Sequence, residues 1–177
     1  LENPIFPAFA QVMETLLAQH GYTPVLCTQT PGGVTEDEYV ELLLDRGVAG
    51  IIFVSGMHAD ITAEHGRYRS LVERGLPIVL VNGFAEGVDA PFISDDDAAA
   101  MDLAVTHLVA MGHRRIGLAL GPRRFVPVVR KRAAFIDAMT RQTGMSAEDA
   151  ASLVSHSLFA VEGGAVRGRY SIIGFDP

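Results

Sequence analysis

Positively charged side chains cluster where a ligand site would be expected. Thirteen arginines and one lysine carry all the fixed positive charge, and seven of these fourteen residues lie between Arg114 and Arg132. The segment Gly121 to Phe125 follows a predicted strand and precedes a predicted helix, which is where open α/β sheets bind ligands. Arg124 and Phe125 are therefore candidate ligand contacts, and one basic residue at positions 130–132, early in that helix, is expected to face the same crevice.

Sequence templates for catalysis and metal binding are absent. Ser55 lacks the leading glycine of a nucleophile elbow, and no Walker sequence or strand-linked dinucleotide fingerprint occurs. We therefore expect no enzyme activity and no cofactor. The histidines show no metal-ligand spacing, and we expect each at the surface or at a helix end. They are His20, His58, His65, His107, His113 and His156. The carboxylates at 95–97 look like a metal cluster but are better explained as a helix N-terminus, so no metal is expected.

Composition excludes several protein classes. The 177 residues are 49% hydrophobic and 20% charged, which is incompatible with a disordered chain. No apolar run reaches the roughly 20 residues of a membrane helix, so we expect no membrane association. Cys27 is the single cysteine, which favours a reducing cytoplasmic compartment. The net charge of −7 argues against nucleic-acid binding by this stretch itself.

Helical patterns alternate with short β-branched runs along the chain. Helices are predicted over 4–19, 35–46, 64–74, 95–111 and 128–143, and strands over 23–28, 49–54, 77–81, 91–94, 116–120, 153–158 and 171–174. Such alternation predicts βαβ units and a parallel, doubly wound sheet. Between Gly164 and Tyr170 there is no room for a crossover helix, which needs about a dozen residues. We therefore expect a segment to be missing there, and a first strand to be missing before Leu1.

Several segments, in order along nearly the whole chain, resemble the effector-binding domain of the lactose-repressor (LacI) family of bacterial transcription regulators. The most specific is His107-Leu108 followed by Met111 to Gly117. The other similar segments are 3–9, 45–52, 75–82 and 171–176.

The resemblance implies the type I periplasmic-binding-protein fold, with two Rossmann-like lobes that contain parallel sheets. The N-terminal lobe would span 1–95 and the C-terminal lobe 96–177. A small effector, with a sugar or polyol expected, would bind between the lobes. The resemblance also implies a homodimer, and operator binding through a DNA-binding headpiece that is absent from this chain.

Family ligand contacts can be carried over by position. An aromatic pair after the first strand falls on Ile5 and Phe6, of which Phe6 alone keeps the ring. An arginine early in a later helix falls on Lys131, which cannot form the bidentate fork of arginine. The remaining positions carried over are Asn82, Phe159 and Asp176, and Ser55 is a further candidate ligand contact.

Two functions remain open from the sequence. One is the effector-sensing and dimerisation core of a transcription regulator, for which the resemblance implies a repressor, and the other is a transport-type periplasmic sugar-binding protein of the same fold. The segment from Gly112 to Ile116 favours the regulator. We expect Lys131 and Asp176 to face one cleft, with Phe6 as an apolar wall, and a plain salt bridge is the alternative role for these charges.

Overall fold

The fold is described from a computed structural model, which defines residues 5–29 and 32–156 in full and residues 171–176 for the backbone. The described residues form two compact units, and the division falls between Ser94 and Asp95.

The first unit is a five-stranded sheet with its helices. Its elements are α1 (Ile5–Gln19), β1 (Thr23–Thr28), α2 (Glu36–Asp45), β2 (Gly50–Val54), a single 3-10 turn (Met57–Ala59), α3 (Gly66–Glu73), β3 (Ile78–Val81), β4 (Phe92–Ile93) and the late strand β7 (Ser171–Asp176). The strand order is β1-β7-β2-β3-β4. Strand β2 pairs in parallel with β3, and β3 with β4. Buried side chains such as Leu43, Phe53 and Leu80 fill the core beneath this sheet.

Helix α2 shows how the sequence sets a local boundary. The Thr35 hydroxyl accepts a hydrogen bond from the Glu38 backbone N–H at 3.2 Å, and the Glu38 carboxylate accepts one from the Thr35 backbone N–H at 2.7 Å. This reciprocal capping box satisfies two N–H groups that have no partner inside the helix. Thr35, where the predicted helix begins, is thus the N-cap of α2, and Glu36 takes the first helical position.

Strand β7 departs from the predicted arrangement. It pairs antiparallel with both β1 and β2, so the sheet is not wholly parallel. It also belongs to the first unit, whereas we expected 96–177 to form the second lobe. Because the strand runs in reverse, Asp176 lies opposite Thr23, at the edge where the parallel strands begin.

The second unit is helical around a two-stranded parallel sheet. Its elements are α4 (Asp97–Ala110), β5 (Leu118–Leu120), α5 (Val126–Thr143), α6 (Ala147–Ser152) and β6 (Val154–His156). Strand β5 pairs in parallel with β6. The Asp96 side chain caps α4 by accepting from the Ala99 N–H at 2.9 Å, which confirms residues 95–97 as a helix N-terminus. Its core contains Val105, Phe135, Ala138 and Met139.

Candidate functional site

Two polar residues predicted as ligand contacts meet at the ends of adjacent strands. Ser55 follows β2 and Asn82 follows β3, and the Asn82 Nδ2 donates a hydrogen bond to the Ser55 Oγ at 2.8 Å. Parallel strands end at the same edge of a sheet, which is the ligand edge of α/β folds. The structure therefore brings Ser55 and Asn82 together in the first unit.

Both residues have unusual backbone conformations. Ser55 has φ 51° and Asn82 has φ 61°, and these are the two non-glycine residues with positive φ within the described part of the chain. Asparagine tolerates this left-handed region, whereas serine rarely adopts it. Strained backbone of this kind costs about 1–3 kcal/mol and concentrates at ligand-binding positions. The backbone is held by bonds from the Ser55 N–H to the Val81 carbonyl at 2.9 Å and from the Asn82 N–H to the Ile93 carbonyl at 2.7 Å.

The hydrogen bond between the two side chains determines what they can offer a ligand. Because the Ser55 oxygen accepts from Asn82, the serine hydroxyl hydrogen can still donate. The Asn82 Oδ1 can still accept, since only its amide nitrogen takes part in this bond. One donor and one acceptor side by side suit uncharged hydroxyl groups, which both donate and accept.

A buried carboxylate lies close to these strand ends. Glu36 is 3% exposed, and its Oε1 accepts a hydrogen bond from the Tyr68 hydroxyl at 2.5 Å. Its Oε2 accepts from the Met57 N–H at 3.1 Å, and Arg67 forms an ion pair with it at 3.3 Å. A buried charge is tolerated when it is paired and hydrogen-bonded in this way. Glu36 thereby ties α2 and α3 to the segment that follows β2.

His58 is the second member of this buried cluster, and sequence reasoning missed its environment. We expected every histidine at the surface or at a helix end, and this is wrong for His58, which is fully buried in the 3-10 turn. Its backbone N–H donates to the Tyr68 oxygen at 2.9 Å, and its Nε2 lies 3.0 Å from the Val81 carbonyl oxygen. Since a carbonyl only accepts, Nε2 carries the ring proton.

Burial controls the protonation of this cluster. Removal from water lowers the pKa of His58 to about 4, against the opposing effect of its bond to Val81, and nearby His65 lowers it further. Burial, together with the charge of Glu36, raises the pKa of Tyr68 well above its usual range. At neutral pH the imidazole and the phenol are therefore both uncharged.

The other candidates in the first unit lie at the start of α1. Ile5 is 62% exposed, whereas Phe6 is half-buried. Only the backbone of Asp176 is described, and the register of β7 places it at the edge opposite to Ser55 and Asn82. The expectation that Asp176 ends a parallel strand at the ligand edge is therefore wrong, because the antiparallel pairing reverses the strand. Phe159 lies outside the described residues.

Lys131 is engaged inside the second unit. Its Nζ lies 2.7 Å from the Asp97 Oδ1, and the Asp97 side chain is 6% exposed. We expected Lys131 to share a cleft with Asp176, with a plain salt bridge as the alternative. The structure pairs Lys131 with Asp97, a partner that neither expectation named. This ion pair joins the start of α4 to the second turn of α5.

Arg124 and Phe125 lie together before α5, as the sequence predicts. The Arg124 guanidinium carbon is 5.0 Å from the centre of the Phe125 ring, a cation–π geometry worth about 0.5–1 kcal/mol at an exposed site. Phe125 is the N-cap residue of α5 and its side chain makes no capping bond.

An open depression on the second unit is rich in aspartates, but these are used structurally. Asp96 caps α4, Asp97 pairs with Lys131, and Asp137 accepts a hydrogen bond from Arg141. Among residues 5–29 and 32–156, no three histidine, cysteine or acidic side chains converge so as to hold a metal ion. Within the same described ranges, no helix is both long enough and apolar enough to cross a bilayer.

Comparison with known families identifies the class of protein. Residues 1–156 match the family described as periplasmic binding proteins and sugar binding domain of the LacI family. The chain belongs to this family, which confirms the resemblance seen in the sequence.

Individual relatives are transcription regulators. The chain is 64% identical over 165 residues to the HTH-type transcriptional regulator MalR of Streptomyces coelicolor, a match that covers 93% of this chain and 48% of the relative. It is 62% identical over 166 residues to the HTH-type transcriptional regulator reg1 of Streptomyces lividans, with the same coverage. A ribose operon repressor of Halalkalibacterium halodurans is 25% identical over 142 residues, which are 80% of this chain and 40% of the relative. The chain thus spans about half the length of these relatives.

A solved structure confirms the fold. A LacI transcriptional regulator from Bacillus cereus subsp. cytotoxis superimposes with a TM-score of 0.67 at 23% identity, and the match covers 92% of this chain and 55% of that one. The expected periplasmic-binding-protein-like α/β fold is therefore confirmed.

Proposed function

We propose that this chain is the effector-sensing part of a bacterial transcription regulator, and that it binds a small uncharged sugar or polyol. The observation that carries the proposal is the hydrogen-bonded pair Ser55 and Asn82, fixed in strained conformations at the carboxyl ends of β2 and β3. The regulators MalR and reg1, to which the chain is more than 60% identical, favour this class over the transport-type binding protein.

The ligand can be found by its effect on melting temperature. A ligand that binds only the folded state raises the melting temperature, so a panel of uncharged sugars and polyols is screened by thermal shift. D-ribose and L-arabinose belong in the panel because relatives are named as ribose and arabinose repressors.

Variants then test the site by calorimetric titration. We expect Ser55→Ala and Asn82→Ala each to weaken binding about tenfold, the value of one hydrogen bond of about 1.4 kcal/mol. Ser70→Ala, on the exposed surface of α3, is the matched control and should bind normally. Unchanged affinity in both site variants would remove them from the binding site.

In the second unit, Lys131 is the residue that we propose as a ligand contact, because its ammonium group has hydrogen-bond donors beyond the one used in its ion pair. An ammonium group has three N–H donors, and the Asp97 bond uses one of them. In the same titrations Lys131→Ala should weaken binding, whereas Arg123→Ala, on an exposed residue of the preceding loop, should not. Equal affinity for Lys131→Ala and the wild type would restrict Lys131 to its structural role.

Dimerisation is the second part of the proposal. Along α1, Ile5, Phe9, Val12 and Leu16 are 62, 37, 55 and 52% exposed, and their spacing of four, three and four residues aligns them on one helix face. We propose that a second copy of this chain covers this apolar stripe. Sedimentation of Val12→Glu should then give a monomer where the wild type is a dimer, with Ala18→Glu as the control on another face. A monomeric wild type at tens of micromolar would oppose the proposal.

Operator binding and cytoplasmic localisation belong to the whole regulator in this proposal. The net charge of −7 disfavours contact with phosphates, so DNA recognition is assigned to a headpiece outside this chain. In a gel-shift experiment at moderate salt the chain should not bind DNA in a sequence-specific manner. Specific binding would show that the chain itself reads the operator.

A further inference from the structure

The two loops that contain Ser55 and Asn82 have the same sequence of backbone features. In each, a polar residue with positive φ is followed by a buried glycine, Gly56 in the first loop and Gly83 in the second. A Cβ atom on Gly56 would lie 2.5 Å from the Glu36 Oε2 and 3.2 Å from the His58 Nδ1. A Cβ atom on Gly83 would lie 2.6 Å from the His58 Cδ2. A side chain at Gly83 would therefore clash with the imidazole and with Ala59, and one at Gly56 would clash with the Glu36 carboxylate, with the imidazole the next nearest group.

His58 also connects the loops through hydrogen bonds. Its Nε2 donates to the carbonyl of Val81, the residue immediately before Asn82, at 3.0 Å. The same carbonyl accepts the Ser55 N–H at 2.9 Å. The ring therefore shares an acceptor with the first loop and holds the strand end that leads into the second.

The imidazole is itself fixed from behind. The Tyr68 hydroxyl accepts from the His58 backbone N–H and donates to Glu36, so the turn at 57–59 is tied to α2 and α3. Phe53 and Tyr68 both contact the ring edge-to-face, with centroids 6.5 and 5.7 Å away. The ring is held on all these sides, and of its two nitrogens Nδ1 has no hydrogen-bond partner among the described residues.

We propose that His58 is a positioning residue of the binding site, which holds Ser55 and Asn82 in left-handed conformations so that they meet the hydroxyl groups of an uncharged carbohydrate. This inference rests on the proposed function of the Ser55–Asn82 pair. His58 is buried and acts through the two loops. Its importance is for the orientation of the pair, over and above its contribution to the stability of the first unit.

The wild-type protein provides the first test. Nitrogen-15 NMR of the imidazole should show a single tautomer with the proton on Nε2 and an unprotonated Nδ1 between pH 5.5 and 8, since the Val81 carbonyl requires a donor. Rapidly exchanging tautomers, or a ring that protonates like one in water, would mean that His58 does not hold this strand end and would overturn the proposal.

Variants separate positioning from general stabilisation. In His58→Phe we expect the Ser55 backbone amide and the Asn82 side-chain amide to exchange with solvent about tenfold faster or more, because the hydrogen bond to Val81 is lost. The Ile51 amide, bonded to the Pro77 carbonyl at the other end of β2, should keep its exchange rate. His58→Gln retains an amide donor and should show a smaller effect at the same two amides, and His113→Phe, at an exposed site, should show none.

The exchange rates test the positioning role of His58, and the carbohydrate affinities test the proposed function separately. Equal acceleration at Ser55, Asn82 and Ile51, or no acceleration at any of them, would overturn the positioning role. If His58→Phe does not fold, His58→Gln gives the same comparison. Normal carbohydrate affinity in Ser55→Ala and Asn82→Ala would instead remove the ligand role and leave the exchange result for His58 unaffected.

Discussion

Two helix N-termini, one in each unit, place a buried carboxylate at the same position and use it differently. Glu36 follows the cap Thr35 at the start of α2, and Asp97 follows the cap Asp96 at the start of α4. Both side chains are almost completely buried, at 3% and 6% exposure. The positive end of the helix dipole favours an anion at this position in both cases.

The partners of the two carboxylates differ. Glu36 accepts from the Met57 N–H, which belongs to the turn that contains His58, and from the Tyr68 phenol and Arg67, which lie on α3. Asp97 is paired with Lys131, whose side chain is 35% exposed and flexible. A carboxylate bound by backbone fixes a loop, whereas one bound by a lysine joins two helices. Removal of the buried carboxylate should therefore lower the free energy of unfolding more in the first unit than in the second.

The largest effect is expected for Glu36→Ala. The variant leaves the Tyr68 hydroxyl and the Met57 N–H without their acceptor and leaves Arg67 with only the exposed Asp37 as a counter-charge, which should lower the free energy of unfolding by about 3–5 kcal/mol. Chemical denaturation measures this value, and hydrogen exchange locates it in the first unit.

Asp97→Ala tests this expected difference, because it removes the corresponding buried carboxylate of the second unit and should lower the free energy of unfolding by less. Glu41→Ala, on an exposed residue of α2, controls for loss of a carboxylate in the same helix. If Asp97→Ala lowers the free energy of unfolding as much as Glu36→Ala does, the number and type of hydrogen-bond partners do not determine the stabilisation by these carboxylates. The expected difference between the two units is then wrong.

The next largest effect is a dependence of the free energy of unfolding on pH, which His58 confers on the first unit. His58 has a pKa of about 4 when folded, below the value of about 6.5 for an unfolded chain. Between these values the unfolded chain binds more protons, so the free energy of unfolding falls as the pH drops through this window. The loss attributable to His58 is about 3 kcal/mol near pH 4 and vanishes above about pH 7.

The measurement is denaturation at a series of pH values. Glu36, Tyr68 and His65 also face His58, and they remain in His58→Gln, so the difference between wild type and variant isolates the imidazole. The wild-type curve should be steeper between pH 4 and 6.5. Parallel curves would show that His58 titrates normally.

Lys131→Met should have a smaller effect, of about 2 kcal/mol. Loss of the ammonium leaves Asp97 buried without a counter-charge, but the partial exposure of Lys131 admits water that reduces the cost. Lys131→Arg keeps the charge and should retain most of the stability, and Arg123→Met is the exposed control. Hydrogen exchange should change in α4 and α5 and not in β2. Acceleration in β2 would contradict a role limited to the second unit.

Much of the fold could be predicted because local signals agree with tertiary structure. The strand predicted over 23–28 matches the bounds of β1, and the helices predicted to begin at 35 and 95 have their N-caps at Thr35 and Asp96. The buried faces of the long helices were harder. In α5, Val129 and Ala133 are exposed, whereas Phe135, Ala138 and Met139 are buried. Apolar residues occur on more than one face of α5, so periodicity alone does not predict which face is buried.

The buried polar cluster could not be predicted because its contacts are distant in sequence. Glu36 meets Met57 and Tyr68 across 21 and 32 residues, and no pattern in the chain indicates that these positions converge. A usable signal did exist in the dipeptides Ser55-Gly56 and Asn82-Gly83, since a glycine close to a strand end marks a place where other groups approach the backbone closely.

The smallest effect is expected at the N-cap residues of α2 and α4. Thr35→Ala and Asp96→Ala each remove a side chain that accepts a backbone N–H, which should cost about 1 kcal/mol. Thr35→Ala should cost the more of the two, because the Glu38 carboxylate also accepts a hydrogen bond from the Thr35 hydroxyl at 2.8 Å. Thr35→Ser keeps that hydroxyl and serves as the control. Denaturation of the three variants gives the order, and a larger loss in Asp96→Ala would show that the capping box adds nothing beyond an ordinary cap.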